Sequence, residues 1–521
     1  MVKYVYSMLL LVWCSVLVMG LCATRQTKLS EEVHPALAII VLWVAIVWLN
    51  MVEGSQASFV GLPPVNKDLY ENSHPLTFQC TKLCHQGDNL DRYLMGRQFL
   101  VLLIVFATNM AGAPLSHTAQ LWGLPQWLLR AFLDSGLAMI VMTTIVGQLT
   151  SQVNASHCML DYVNNYFAVF TLWVSLIVEF SGLLHASYFL QVVVAKMAGK
   201  PVESHEAPRT TLQSAFFWGR VLLSLTILAF GLAVTLESLL HGQTTLWQGV
   251  SPAVGIVLFF LLQGIIGMLE GMQIAFFAVT KLPKARQGNH PWAKRTCKFL
   301  FAQGGRHLPG FMIGRQVCVT LCFFMVARVT TTNVDVEDGQ DTIMGVSDAV
   351  QEFFNTGLLA AVVTTILGSI AFQLVASAFP IAFLSFPPVY LLLRICIWLE
   401  ASGIFSAAWV LAMCHKKVAG FQVDEVYIGT PEERAARQLQ DQRHQLQIQP
   451  GHPRKIQYTP GRHELSTRNW DDTEIDLHEE DYNNTTTNNN ATNVNGNAAA
   501  ATDASIEATL NKSEDNTELT A

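Results

Sequence analysis

The sequence predicts an all-α polytopic membrane protein of about ten transmembrane helices, arranged as a five-plus-five inverted repeat and followed by a disordered C-terminal tail. Three observations predict it. The 521 residues are 51% hydrophobic and only 14% charged, with a mean hydropathy of +0.33, which a soluble chain of this length would not show. About ten apolar runs approach the roughly 20 residues needed to cross a bilayer. The same polar words also interrupt those runs twice in one order: Glu53-Gly54-Ser55-Gln56 and Gly96-Arg97-Gln98, then Glu270-Gly271-Met272-Gln273 and Gly314-Arg315-Gln316.

The runs of the first copy fall at 4–23, 35–53, 97–112, 128–152 and 164–192. The first, with Lys3 before it and small residues at Gly20 and Cys22, also resembles a signal peptide. Its counterpart at 213–236 argues for a retained helix. The second run starts at Pro35 and closes at Glu53, the third starts at Arg97, and the fourth carries Asp134, Thr143, Thr144 and Gln152. The fifth carries Glu179-x-Ser181-Gly182.

The second copy repeats the series at 213–236, 252–271, 314–330, 357–383 and 387–413, where Asn355, Thr364, Thr365, Gln373 and Glu400-x-Ser402-Gly403 hold the matching positions. An odd number of crossings per copy inverts one copy against the other, an architecture common among secondary transporters. The organisation is then a first repeat over 1–197, a connecting loop over 198–212 and a second repeat over 213–418. A tail over 419–457 carries a short amphipathic helix at 431–448, and a disordered acidic tail rich in Asn, Thr and Ala fills 458–521. Thr430-Pro431-Glu432-Glu433 is the start signal of that helix, a Thr cap followed by Pro and by Glu three residues on. Asn483, Asn484, Asn490 and Asn511 stand in glycosylation-like triplets that arise easily in such a tail.

Charge gives two opposed indications of orientation. The loop 272–313 carries Lys281, Lys284, Arg286, Lys294, Arg295, Lys298 and Arg306, which the positive-inside rule places in the cytosol. Lys416 and Lys417 after the last run place the termini there instead. The reading adopted is cytosolic termini. The ten cysteines sit mostly within apolar runs and read as packing residues rather than a disulfide framework.

An acid within a bilayer costs on the order of 2.5–3.5 kcal/mol on insertion scales, so Glu53 and Glu270 read as functional or paired. The bland alternative is that each reaches the interface, and that Arg97 and Arg315 snorkel to the headgroups. Gln three residues after each Glu, on the same helical face, and Gln after each Arg favour a polar site. One carboxylate and one guanidinium per copy sum to zero, so a neutral polar solute fits better than an anion. Amides both donate and accept, which suits a ligand covered in hydroxyls. The substrate-binding set is Glu53, Gln56, Arg97, Gln98, Glu270, Gln273, Arg315 and Gln316.

Glu179 and Glu400 read as structural or coupling acids, and Arg394, on the helix of Glu400, could neutralise an acid from a neighbouring helix. His74, Cys80, Cys84 and His85 superficially resemble a zinc set, but their spacing matches no common zinc pattern. Motifs of an embedded hydrolase or metalloprotease, such as His-Glu-x-x-His or Gly-x-Ser-x-Gly, are missing from the sequence, so it reads as no enzyme. Nothing in it points to nucleic acid.

The paired words, with Gly87-Asp88-Asn89-Leu90-Asp91-Arg92-Tyr93-Leu94-Met95 leading into the first Gly-Arg-Gln, resemble the silicon transporters of diatoms and other silica-forming microbial eukaryotes. The resemblance covers roughly residues 1–418. It implies a multi-pass plasma-membrane carrier that takes up silicic acid by sodium symport with alternating access, the motif regions forming the substrate path, with no cofactor and sodium as the coupling ion. Hard-cation ligands for that sodium are sought at Asp134, Thr143 and Thr144, with Asn355, Thr364 and Thr365 opposite them. Asp134 is the one acid of this set without an acidic mirror image. The alternatives are a carrier of another small neutral polar solute, or a silicic acid sensor on a transporter scaffold. An intracellular silica-related membrane and a homo-oligomer are both compatible with the sequence.

Overall fold

The computed structural model describes residues 2–447 except 113, 115–119, 135, 198, 200–205, 207, 245, 247–249, 285–289, 303–304, 331, 333, 335–341 and 356. The tail from 448 onward, with its glycosylation-like triplets, lies outside the described residues. The side chains of 441–447 do as well. About four-fifths of the described residues are helical, and they contain no strand beyond two isolated bridges.

The helices that position the site recur in one order. In the first copy they are α1 (Val2–Ala23), α2 (Pro35–Gly61), α3 (Pro75–Cys84), α4 (Asn89–Gly112), α5 (Leu137–Ala155), α6 (Tyr166–Phe180) and α7 (Ala186–Met197). In the second they are α8 (Thr211–Leu240), α9 (Pro252–Thr280), α10 (Pro291–Leu300), α11 (His307–Thr330), α12 (Leu358–Ala378), α13 (Pro387–Glu400) and α14 (Ala407–Ala419), followed by α15 (Pro431–Gln447). Small features recur with them. Proline occupies the first turn of α2, α3, α9 and α10, where its missing N–H costs no hydrogen bond. A left-handed glycine opens α5 and α12 (Gly136, φ 72°; Gly357, φ 73°), and a π-helical turn follows at Thr143–Leu149 and at Thr365–Ile370.

Six described helices are long and apolar enough to cross a membrane, or seven if the bent pair Gln126–Leu133 and Leu137–Ala155 is one span. The ten predicted runs therefore do not all form straight spans. The runs at 164–192 and 387–413 are each broken in two, at Gly182 (φ 81°) and Gly403 (φ 82°), leaving helices of 15, 12, 14 and 13 residues. Hydropathy misses such breaks because glycine is apolar enough to continue a run while its missing Cβ permits the left-handed turn. The run at 97–112 lies in α4, whose first turns carry Asp91, Arg92 and Arg97. Conversely, α2 and α9 continue well past Glu53 and Glu270, through segments buried on every side.

The first helix of each copy packs against the last helices of the other. Ser7 Oγ on α1 donates to the Ile404 carbonyl (2.6 Å) and accepts from Ala407 N (2.8 Å). Its counterpart Ser224 on α8 donates to the Leu183 carbonyl (2.6 Å) and accepts from Ala186 N (2.9 Å). Likewise α7 lies on α12, α14 lies on α5, and α2 meets α9 at the centre.

Within each copy the Gly-Arg-Gln helix makes one backbone-to-backbone approach. A Cβ at Gly96 would collide with the Ser175 carbonyl of α6, and one at Gly314 with the Cys396 carbonyl of α13. Gly314→Ala is expected to destabilise by about 3 kcal/mol, the upper end for overpacking, because a backbone cannot swing aside as a side chain can. Gly264→Ala, where a Cβ meets nothing within 4 Å, is the control. Thermal melting in detergent checks this, and parent-like melting of Gly314→Ala would refute the close approach.

The segment after α14 breaks the two-fold pattern. Asp424 is buried, accepts from the backbone N–H groups of Met159 (3.0 Å) and Leu160 (2.9 Å), and pairs with Lys281 at the end of α9 (3.0 Å). Glu425 also reaches Lys281 (2.8 Å), and Arg434 donates to the Lys281 carbonyl (3.0 Å). Asp424 N is held by the His157 carbonyl and Gln422 N by Asp161, whose other oxygen faces His74 at 3.0 Å. Residues 420–434 thus form a strap joining the two copies. The helix signal at Thr430 is realised as a capping box, Thr430 and Glu433 bonding each other's backbone N–H.

Burial, then the Lys281 charge, holds the His157 imidazole below its ordinary 6.5, while burial raises the Asp424 carboxyl against the pull of Lys281. A base whose folded pKa is depressed adds stability above its unfolded pKa and loses it as pH falls. The melting temperature should therefore drop between about pH 7.5 and about pH 5.5, the range in which imidazole titrates. His157→Gln should flatten that drop, and an unchanged pH profile in the variant would assign it elsewhere.

Candidate functional site

Glu53 and Glu270 are buried, and so are the guanidiniums they meet. Glu53 Oε1 pairs with Arg97 Nη2 at 2.6 Å, Glu53 Oε2 accepts from Gln152 Nε2 at 2.8 Å, and Arg97 Nη1 donates to Gln98 Oε1 at 2.6 Å. The second copy repeats the set. Glu270 Oε1 pairs with Arg315 Nη1 at 2.9 Å, Glu270 Oε2 accepts from Gln373 Nε2 at 3.0 Å, and Arg315 Nη2 donates to Gln316 Oε1 at 3.0 Å. Gln373 Nε2 also reaches Ser369 Oγ (3.2 Å) and Gln98 Oε1 (3.4 Å), so the two sets touch across the copies.

Neither Glu and neither Arg reaches the protein surface. Each charge is instead neutralised in place by a partner more than forty residues away and by an amide, since desolvating an ion costs several kcal/mol unless pairing and hydrogen bonds offset it. The glycines of the first words do not break their helices. A Cβ at Gly54 would enter the Tyr162 ring, and one at Gly271 would meet the Phe383 ring at 2.5 Å, so these glycines let aromatic walls close on the carboxylates.

The site keeps polar atoms without a protein partner: both amide atoms of Gln56, Nε2 of Gln273, Oε1 of Gln152 and of Gln373, and Nε of both arginines. Buried polar atoms are nearly always satisfied, and an unsatisfied one costs about 1–3 kcal/mol. A cluster of donors and acceptors around two neutralised ion pairs suits an uncharged, hydroxyl-rich ligand.

Gln152 and Gln373 belong to this site, although the sequence offers only their matching positions and no role for them. A mirrored amide facing a mirrored carboxylate is the signal that could have found them. Gln263, one face along α9 from Glu270, also enters by structure, donating to Thr364 Oγ1 at 2.9 Å.

The residues proposed for sodium are more dispersed. Thr143 and Thr365 open the two π-helical turns, and their hydroxyls donate to the carbonyls of Met139 (2.7 Å) and Ala361 (2.8 Å). Thr144 is buried, and Thr364 holds Gln263. Asn355 is engaged in a loop, accepting from Thr332 and Gln351 (both 3.0 Å) and donating to the Val334 carbonyl (2.8 Å). The Asp134 side chain lies outside the described residues.

Glu179 faces His185 at 3.2 Å and accepts from Tyr188, whereas Glu400 pairs with Lys3 at 3.0 Å and accepts from Trp409. Arg394 stacks over the Phe299 ring at 4.9 Å. In the superficial zinc set, His74 pairs with Asp161, His85 meets the Phe59 carbonyl (2.8 Å), and Cys80 and Cys84 are buried thiols in the apolar core. All ten cysteines are free.

A helical fold with apolar spans around neutralised, amide-flanked ion pairs is of the class of membrane transporters. The chain matches the family model described as Silicon transporter over residues 1–520, and it belongs to that family. No match was found among curated proteins or among solved structures. Family membership supports silicic acid as the transported species.

Proposed function

We propose that the protein takes up silicic acid by sodium symport with alternating access, as an inverted repeat whose two motif sets bind the solute together. The supporting observation is the buried Gln56 and Gln273 amides, left without full protein partners beside the two Glu–Arg pairs. Silicic acid is a neutral tetrahedron of four hydroxyls with no apolar face, so its recognition must come from such donors and acceptors. The reciprocal exchange of first and last helices between the copies supports a two-fold relation of the kind that alternating access uses.

Sodium coupling rests on the family and on the π-helical turns at Thr143 and Thr365. Such turns interrupt the regular helical ladder, occur often at functional sites, and put oxygens within reach of a hard cation. The plasma membrane is the site of uptake we favour. Reconstituted vesicles given an inward sodium gradient should accumulate silicic acid above equilibrium. Equal accumulation without the gradient would end the coupling proposal, and saturable binding without flux would favour a sensor instead.

A further inference from the structure

A cleft of about 1050 Å³ opens beside the Asp88–Arg92 end of α4, walled by Glu179, Tyr188 and Gln191 of α6 and α7 and by Arg209 and Gln213 before and within α8. Its lining includes most of the Gly87–Arg92 stretch, for which the ion-pair centre provides no role. Two of its lining residues hold α12 behind it: Ser377 Oγ donates to Asp91 Oδ1 of α4 at 3.2 Å, both groups buried, and Gln191 Nε2 donates to the Leu374 carbonyl at 3.3 Å.

The same two helices carry the contact of the central site. Gln98 lies seven residues after Asp91 on α4, about 10 Å along one helical face. Gln373 lies one turn before Ser377 on α12. The Asp91–Ser377 and Gln98–Gln373 contacts therefore stand in series along one polar seam that runs from the cleft to the Glu270–Arg315 pair.

The seam has no equivalent in the other copy. Pro309 stands where Asp91 would be and Ala412 where Gln191 would be, while Ser156, the counterpart of Ser377, bonds the Val153 carbonyl of its own helix. The strap lies at that mirror position. Asp424 N is bonded to the His157 carbonyl, and Gly305, just before α11, lies against the His157 ring at 3.6 Å from its Cβ position.

We propose that this cleft is a one-sided vestibule admitting a small, neutral, hydroxyl-rich solute to the Gln98–Gln373 centre, with the Asp91–Ser377 pair handing the solute inward and the mirror face closed by the strap. The identity of the solute rests on the silicic acid reading; the route does not. A carboxylate acceptor, a hydroxyl and an amide in sequence exchange hydrogen bonds with a hydroxylated solute at each step, so it need not shed its polar shell on the way in.

The test is accessibility in the full-length protein reconstituted in vesicles. In a Cys414→Ser background, which removes the exposed native thiol, Gln86→Cys marks the mouth of the cleft and Ser377→Cys, nearly isosteric, reports the position behind Asp91. A membrane-impermeant thiol reagent applied from the face that labels Gln86→Cys should label Ser377→Cys, and reagent on the opposite face should label neither. Labelling of Ser377→Cys only from the opposite face, from both faces, or from neither, as in a cleft filled by lipid, would overturn the proposal. As a second arm, Asp91→Asn, which weakens the acceptor that hands the solute inward, should slow silicic acid uptake about tenfold while equilibrium binding in detergent is kept; unchanged uptake would remove Asp91 from the route. If the parent binds no silicic acid, only the substrate reading fails, and the labelling result still decides the route.

Discussion

Arg315→Ala is expected to abolish transport and cost about 3–5 kcal/mol of stability, a large part of the whole for a protein of ordinary marginality. The guanidinium holds Glu270 and Gln316 at once, and without it a carboxylate stays buried with one amide for company. Removing both charges, as Glu270→Gln with Arg315→Gln, should restore most of the melting temperature, because no uncompensated ion is left. Uptake should stay absent in that double variant if the charges shape the solute site. Recovered uptake would reduce the pair to a structural clasp. Arg97→Lys keeps the charge yet loses the planar fork that reaches Glu53 and Gln98 together. About a tenfold fall in uptake with the fold intact is expected there, and parent-like uptake would show that charge alone suffices.

Gln56→Leu combined with Gln273→Leu is expected to separate function from stability in the opposite sense. Three of the four amide atoms concerned are buried without a protein partner, and each such atom costs the empty protein about 1–3 kcal/mol. Replacing the amides by apolar groups of similar size should leave the melting temperature equal to the parent's or higher. Silicic acid uptake should fall more than tenfold, since the atoms that the protein leaves unsatisfied are the ones a hydroxylated solute would satisfy. Unchanged uptake in this variant would remove both glutamines from the site.

Much of the fold was legible in the sequence because membrane insertion and helix termini follow local chemistry. The apolar runs gave the helices, the repeated words gave the duplication, and Thr430-Pro431-Glu432-Glu433 gave a helix start that forms as read. The runs through Gly182 and Gly403 were legible as apolar but not as broken. The left-handed turn there is held by hydrogen bonds from the other copy, Arg220 and Ser224 to the Phe180 and Leu183 carbonyls and Ser7 to that of Ile404, while Arg220 and Lys3 fill the space a Cβ would need. No pattern local to those runs encodes such contacts.

The candidate site divides in the same way. Residue types and mirrored spacing selected Glu53, Gln56, Arg97, Gln98 and their counterparts, because an acid or a guanidinium within an apolar run is expensive wherever the chain goes. Only the tertiary structure decided that each carboxylate is neutralised by the guanidinium of its own copy, that Gln152 and Gln373 complete the sets, and that Gln98 reaches across to Gln373. It also decided that the copies differ, with a polar cleft by Asp91 in one and, beside Ser156 and His157, a strap held to Lys281 in the other. The cost of burying a polar group is a property of the residue and can be read along a chain. The partner that offsets the cost is chosen by helices closing on one another, and that choice exists only in three dimensions.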